Sequence, residues 1–297
     1  IKGKKLCFEE TLKTKSSIIL RLRENLKFLL EEAGIIVING AAKIKSNKVV
    51  ICNNVNYEAC NIIIATGARP IDSQNKNAIN SDAALELSYI PNSVSILGGG
   101  VVAMEFAEIY KGLGANVSIY IRGERVLRKW DRDIAVSLMQ NMKKKGIKIY
   151  TKCSQDTIKN VQDEIVISAL GRKANLDQIS SDYFDIGENG GIITDLVGRT
   201  KTKTIYAIGD VVDDSPMLAH VAMEQGKRVV EYLKNGSYAS ASSIVNCIYT
   251  NPEIASVGLT EAQAREKNIK VIVGKQAMYS NARTLIATKE RGFIKVI

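Results

Sequence analysis

Apolar residues recur with a helical period between residues 16 and 33, at Ile18, Ile19, Leu22, Leu26, Leu29, Leu30 and Ala33. Arg21, Glu24, Glu31 and Glu32 take the opposite face, and Gly34 ends the element. Four short runs of β character follow at 35–39, 42–45, 48–52 and 55–57, parted by polar breaks such as Ser46-Asn47 and Asn53-Asn54. Ile62-Ile63-Ile64-Ala65 reads as a buried strand running through Thr66 into Gly67. Residues 71–82 are polar without a period, which predicts a connector.

A second unit begins after Pro91. A strand at 94–97 meets Gly98-Gly99-Gly100, and 101–113 predicts a helix with Val102, Phe106, Ile109 and Leu113 on its apolar face. Gly114 ends that helix and 117–121 is the next strand. Asp131 can cap a helix carrying Ile134, Leu138 and Met142, closed by Gly146, with strands at 147–150 and 165–168 beyond it. This β-α-β-α-β order calls for a parallel sheet with helices on its faces. A strand at 204–208 and a helix over 217–234 come next. From Asn246 the pattern is α+β: a strand at 246–250, a Thr260-to-Gln263 capping box, and strands near 270–275 and 291–297.

Composition narrows the classes. The 297 residues are 45% hydrophobic and 24% charged, which excludes disordered and collagen-like chains. No apolar run approaches the ~20 residues of a membrane-spanning helix, so no membrane partner is expected. Cys7, Cys52, Cys60, Cys153 and Cys247 are scattered, none at CxxC or CxxxxC spacing. That argues against a disulfide scaffold, and with His220 as the single histidine no metal site is expected. The five cysteines are expected to be small buried hydrophobes. The net charge of +10 is dispersed among acids, and Lys143-Lys144-Lys145 precedes Gly146, where cations suit a helix C-terminus. With no aromatic interleaving, no nucleic-acid partner is expected. Ile1-Lys2-Gly3 shows no initiator Met, signal peptide or transit composition, and the sequence stops within a strand-like run at 292–297. We therefore expect an incomplete chain of a cytoplasmic protein.

The strongest chemical signal is Gly98-x-Gly100-x-x-Ala103 between a strand and a helix. Gly98 permits the sharp turn, Gly100 lets a pyrophosphate approach the backbone, and Ala103 lets helix pack on strand. The helix N-terminus then offers free N–H groups to the phosphates. At the end of the next strand an NAD site wants a carboxylate and an NADP site wants cations. Ile121 stands there, and Arg122 and Arg128 flank the place where a 2′-phosphate would lie, which favours NADP with NAD possible; Glu124 could still swing in.

In order along the chain, Ile62 to Gly67, Gly98 to Glu105, Ala169-Leu170-Gly171-Arg172, Ile205 to Asp210 with Met217 to His220, and Tyr249 to Glu261 resemble motifs of the flavin-dependent pyridine-nucleotide disulfide oxidoreductases. Within that family, Met217 to His220 and Tyr249 to Glu253 resemble dihydrolipoamide dehydrogenase, while 121–128 resembles the NADPH loop of glutathione reductase. The resemblance implies an α/β fold: two nested Rossmann-like dinucleotide-binding domains, for FAD and NAD(P), plus the start of an α+β interface domain. The division it implies is 1–88 and 171–240 for FAD, 89–170 for NAD(P), and 241–297 for dimerisation.

It further implies FAD and NADP as cofactors, a disulfide substrate, and a homodimer. Asp210 would bond the FAD ribityl chain, with Gly209 letting it approach. The backbone of Met217, Leu218, Ala219 and His220 would face the flavin. Thr66 and Gly67 would lie along FAD, with Ala42 near its adenine. Glu105 would lie near the nicotinamide, Gly171 against the dinucleotide, and Arg122 and Arg128 on the 2′-phosphate. Val101 stands where the glutathione-reductase branch has a Tyr over the flavin. The family's first GxGxxG, its CxxxxC redox pair and its His-Pro base are absent from this sequence, so no catalytic residue is assigned in it. The segment between Cys153 and Glu164 is shorter than the family's β-hairpin there. Alternatives are a glutathione- or mercuric-reductase-like enzyme, a flavin oxidase without the disulfide, and a redox-inactive NAD(P)-binding homologue.

Overall fold

The computed structural model describes residues 7–177, 179, 181–238, 243–287 and 292–297. Helix α1 (Phe8–Glu32) leads into β1 (Ala42–Ser46), β2 (Val49–Cys52), β3 (Val55–Glu58), β4 (Ile62–Ile64) and β5 (Ala68–Pro70). Next come β6 (Ala78–Asn80), α2 (Ser81–Ala84), β7 (Ser93–Leu97), α3 (Val101–Gly112), β8 (Asn116–Tyr120), α4 (Arg132–Lys144), β9 (Lys148–Tyr150), α5 (Gln155–Asn160) and β10 (Ile165–Ser168). The chain continues through β11 (Arg172–Ala174), β12 (Ile205–Ala207) and α6 (Ala219–Asn235). It closes with β13 (Val245–Ile248), β14 (Ile254–Val257), α7 (Glu261–Glu266), β15 (Gly274–Ala277), α8 (Ala282–Ala287) and β16 (Phe293–Val296).

Two compact units result, Ile1–Ile71 with Arg172–Ala241, and Asp72–Gly171 with Ser242–Ile297. The boundary expected at 240–241 and the opening Ile1-Lys2-Gly3 lie outside the described residues.

In the first unit β4 and β12 pair in parallel, β5 and β11 pair antiparallel, and β1–β2–β3 form a separate antiparallel sheet. Ile62, Ile64, Phe184, Ile192, Ile205, Ala207 and Val211 make its core. Helix α1 starts at Phe8, earlier than its apolar period predicts, and none of its residues is buried. Its stripe is real, but Leu22, Phe28 and Leu29 stay about 60% exposed, because periodicity reports an apolar face without supplying what covers it. Residues 35–39 are not a strand: the segment is irregular and Ile36 is exposed. A run of β-branched residues makes a strand only where a neighbouring backbone pairs with it.

The second unit is built on a five-stranded parallel sheet in the order β6-β10-β7-β8-β9. The supposed connector 71–82 contributes β6, whose three residues pair with Val166 to Ser168, and α2, capped by the Asn80 side chain. Such a short strand shows no period and is made by its ladder alone. On α3 the buried face is Ala103, Met104, Phe106, Ala107 and Tyr110, while Val102 and Ile109 are exposed. Two alanines let that helix lie close to the sheet, so size rather than hydrophobicity sets the buried face. Between Cys153 and Glu164 lies α5, held by the buried amide of Asn75, which donates to the carbonyls of Ile158 and Val161. Of the cysteines only Cys52 is buried; Cys7 and Cys60 are exposed, which corrects the expectation for them.

Beyond α6, β13 and β14 form one hairpin and β15 and β16 another, so the final strand does have a partner. The register places β15 at 274–277 rather than 270–275. One charge cluster anchors this segment. Asp131 caps α4 by accepting from the Asp133 N–H, and also takes Lys295 Nζ at 2.9 Å. Lys295 further contacts Glu261 (2.8 Å) and Asp133 (3.2 Å), with only 8% of its side chain exposed. Burial alone would lower the amine, but its three carboxylate partners outweigh it and hold the lysine above its usual value. Burial likewise raises Asp131 and Asp133; Lys295 with the Asp133 and Glu261 N–H groups more than reverses it at Asp131, and Lys295 with Lys275 does so at Asp133.

The signs fix the pH window. The carboxylates contribute fully above their unfolded value near pH 4 and lose it below; the lysine contributes fully below about pH 10 and loses it above. Lys295→Ala is expected to lower the urea-unfolding free energy by about 3–5 kcal/mol at pH 7, because it strands the buried Asp131 carboxylate. The difference from wild type should shrink below about pH 4; a deficit under about 1 kcal/mol at pH 7 would show the cluster to be worth no more than a surface ion pair.

Candidate dinucleotide-binding sites

The order β6-β10-β7-β8-β9 means that the chain runs outward from β7 through β8 to β9 and returns on the other side at β10. The carboxyl ends of β7 and β10 therefore flank the switch point, where open α/β sheets bind ligands. Gly98 sits there with φ +124°, and a Cβ on it would lie 2.2 Å from the carbonyl oxygen of Ala169. Its N–H donates to the carbonyl of Tyr120 (3.0 Å), and the Gly99 carbonyl accepts from Leu127 (2.7 Å).

Gly100 caps α3 without a side chain, and a Cβ there would meet nothing within 4 Å. The first helical bond runs from Met104 N–H to the Gly100 carbonyl, so among the described residues the earlier N–H groups of the turn have no partner, as an anion site requires. Ala103 is fully buried beneath the turn. Gly171, exposed at φ +116°, follows β10 at the same end of the sheet. Gly98, Gly100, Ala103 and Gly171 thus come together. This cradle, open where a Cβ would go and lined with free N–H groups, fits a dinucleotide pyrophosphate. Glu105, further along α3, accepts from the Tyr249 N–H at 3.0 Å.

Ile121 follows β8 with 4% of its surface exposed, its Cγ2 packed where a Cβ on Gly99 would lie. The position at the carboxyl end of β8 is therefore filled by hydrocarbon. Arg122 and Arg128 are exposed, and among the described residues neither guanidinium makes a hydrogen bond or ion pair. Glu124 does not swing in: it faces Lys152 at 2.9 Å, whose hydrogen bond and charge hold its carboxyl below the usual value.

In the first unit the parallel pairing of β4 with β12 brings Thr66-Gly67 and Gly209-Asp210 to one end. Thr66 Oγ1 donates to the Asn175 carbonyl (2.7 Å) and Asn175 N–H donates to that of Gly67 (2.8 Å). Gly209 N–H donates to Gln225 of α6 (2.6 Å), which seats the helix on the turn. Asp210 is half-buried, and among the described residues its carboxylate has no hydrogen-bond or ionic partner. Met217 adopts φ +53°, Leu218 caps α6 without a side-chain bond, and the Leu218 carbonyl accepts from Val221 and Ala222. Among the described residues the N–H groups of Ala219 and His220 have no partner; the His220 ring is exposed. An unpartnered acid beside an open helix end suits a polyhydroxyl chain and an electron-rich ring, as FAD presents. Ala42 belongs to a different sheet, exposed and opposite Cys52.

Asn175, Gln225 and Arg125 escaped the sequence reading. Their partners are backbone groups that no spacing rule reveals.

A family model described as pyridine nucleotide-disulphide oxidoreductase matches residues 4–226, and the dimerisation domain of the same family matches 244–297. The chain belongs to this family. It is a flavin-dependent NAD(P)H:disulfide oxidoreductase chain, with FAD and NAD(P)H as the cofactors of its class. A dihydrolipoyl dehydrogenase of Bacillus subtilis (strain 168) is 30% identical, the match covering 99% of this chain and 70% of the relative. One of Mycoplasma genitalium is also 30% identical, over 99% of this chain and 69% of its own length. The HOCl-induced flavoprotein disulfide reductase RclA from Escherichia coli superposes with a TM-score of 0.87 at 23% identity, covering 98% of this chain and 72% of the other, and so supports the fold. A groove of about 720 Å³ lies between α4, β14 and β16, within the second unit and lined by residues such as Ile134, Ile254 and Phe293. The Gly98 turn does not line it.

The two glycines separate folding from binding. Gly98→Ala is expected to destabilise the protein by more than about 2 kcal/mol, since both φ and the Ala169 carbonyl oppose it. Gly100→Ala should leave unfolding within about 0.5 kcal/mol of wild type while weakening nucleotide binding, read by calorimetric titration. Unchanged affinity in Gly100→Ala would place the pyrophosphate elsewhere.

Proposed function

We propose that the Gly98 turn of this family member holds NADPH and the Asp210 turn holds FAD, in an enzyme exchanging electrons with a dithiol or disulfide of the dihydrolipoamide kind. The single observation that carries this is the open, uncapped N-terminus of α3 behind Gly100 at the switch point of the sheet. When bound, the two dinucleotides supply hydride transfer between nicotinamide and flavin.

The chain's own residues bind and orient. Gly98, Gly100 and Ala103 admit the pyrophosphate, Gly171 borders the dinucleotide, and Glu105 lies on the nicotinamide side of the helix. Arg122 and Arg128 take the 2′-phosphate, a role supported by the buried Ile121 and by the absence of other partners for either guanidinium among the described residues. Asp210 accepts from the FAD ribityl hydroxyls, Gly209 allows the approach, Thr66 and Gly67 flank the cofactor, and Ala42 serves its adenine side. The open N–H groups from Met217 to His220 stabilise negative charge on the flavin ring. The domain roles proposed are FAD binding for 1–88 and 171–240, NADPH binding for 89–170 and dimerisation for 241–297.

The substrate assignment draws support from the dihydrolipoyl dehydrogenase relatives, and the choice of NADPH from the loop at 121–128. The five cysteines of this sequence include no CxxxxC pair, which keeps a redox-inactive NAD(P)H-binding role as the second reading.

In an equilibrium titration NADPH is expected to bind at least about tenfold tighter than NADH. Arg122→Ala should cost about 1.5–3 kcal/mol of the NADPH affinity and leave NADH unchanged. Equal affinities, with Arg122→Ala silent, would overturn the nucleotide choice. Asp210→Ala should purify with reduced flavin absorbance per chain; a full complement would remove Asp210 from the site. Light scattering tests the homodimer, for which a monomer mass would count against residues 241–297 as an interface.

A further inference from the structure

Arg125 lies between the two arginines given to the phosphate, yet its guanidinium turns back onto the main chain. Nη1 donates to the Leu127 carbonyl (2.9 Å), and Nη2 donates to those of Arg128 (3.0 Å) and Trp130 (3.2 Å). Three carbonyls within six residues converge on one planar cation, a geometry that a lysine ammonium cannot reproduce. The segment so held is not relaxed on its own. Leu127 is a non-glycine residue at φ +51°, a conformation that persists only where the surroundings impose it. Its side chain is 2% exposed, its N–H is spent on Gly99 of the phosphate turn (2.7 Å), and its carbonyl also accepts from Trp130 (2.9 Å). The fork therefore welds the stretch that carries Arg128 to the turn that would hold the pyrophosphate.

Arg122 is secured separately. Its neighbours Ile121 and Gly123 accept from Cys153 (3.0 Å) and Lys152 (2.9 Å). We propose that Arg125 is a positioning residue for the 2′-phosphate, acting through Arg128 and not through Arg122. Arg125 touches no ligand itself; it fixes the backbone from which Arg128 reaches out. This inference rests on the NADPH reading above.

Adenosine 2′,5′-bisphosphate and adenosine 5′-monophosphate, which differ only by the 2′-phosphate, serve as probes on the full FAD-loaded protein. Binding is followed by calorimetry and by emission of Trp130, the one tryptophan of the chain. In the wild type the bisphosphate is expected to bind at least about tenfold tighter and to shift the emission. Arg125→Gln should remove most of that preference while leaving the monophosphate within about twofold. Arg125→Lys should recover only part of it. Arg125→Gln added to Arg128→Ala should cost nothing further, whereas added to Arg122→Ala it should add its full effect.

Wild type without preference for the bisphosphate would defeat the NADPH reading and this inference together. Preference retained in Arg125→Gln, with Arg128→Ala defective, would overturn the positioning role alone. So would additivity of Arg125→Gln with Arg128→Ala, or equal loss of both probes.

Discussion

The carbonyl of Ala169 fills the space beside Gly98 that any side chain would need. That contact brings the carboxyl ends of β7 and β10 together, and the rest of the second unit is arranged around it. It turns the chain sharply enough for α3 to begin with its N–H groups open, and it lets Ala103 seat the helix on the sheet. It also leaves Gly99 where the 121–131 loop can bond to it. A hydrophobic core alone would tolerate many sequences at this turn; the missing Cβ makes the turn specific.

Electrostatics then divide the arginines of the loop by task. Arg125 is consumed by carbonyls of its own loop and Glu124 by Lys152, while among the described residues the guanidinium groups of Arg122 and Arg128 have no partner. A cation without a partner is an incomplete interaction, which is why the 2′-phosphate is proposed for these two. Asp210 has the same character in the first unit, a half-buried carboxylate without a partner among the described residues. The cluster around Lys295 is the opposite case: Lys295, Lys275 and Arg265 are paired with Asp131, Asp133 and Glu261, so it serves to hold the segment carrying β16 against the N-cap of α4.

The local setting of both candidate sites was legible beforehand, for a local reason. Gly98, Gly100 and Ala103 sit at fixed offsets between a strand and a helix, and Gly209-Asp210 directly follows β12, so their setting is visible within about ten residues of sequence. The Asp131 cap and the Thr260–Gln263 capping box were legible likewise. The faults arose where a neighbour decides. Ala78 to Asn80 carry no strand signal and become one against β10, whereas 35–39 carry a strong signal and find no ladder. On α3 the stripe read from hydrophobicity was rotated, because Ala103 and Ala107 pack closest to the sheet.

The sequence by itself determined the βαβ order, the glycine turn, the missing acid at Ile121 and the resemblance that names the cofactors, since each depends on residues near one another in the chain. Only the tertiary structure decided that Lys295 closes a cluster with Asp131, 164 residues away, that Glu105 bonds the backbone of Tyr249, and that the Arg125 guanidinium turns back onto the carbonyls of its own loop. Side-chain period and glycine placement are properties of short segments. Which donor meets which acceptor is settled when distant segments compete for the same buried polar groups, and that competition leaves no mark in the order of residues.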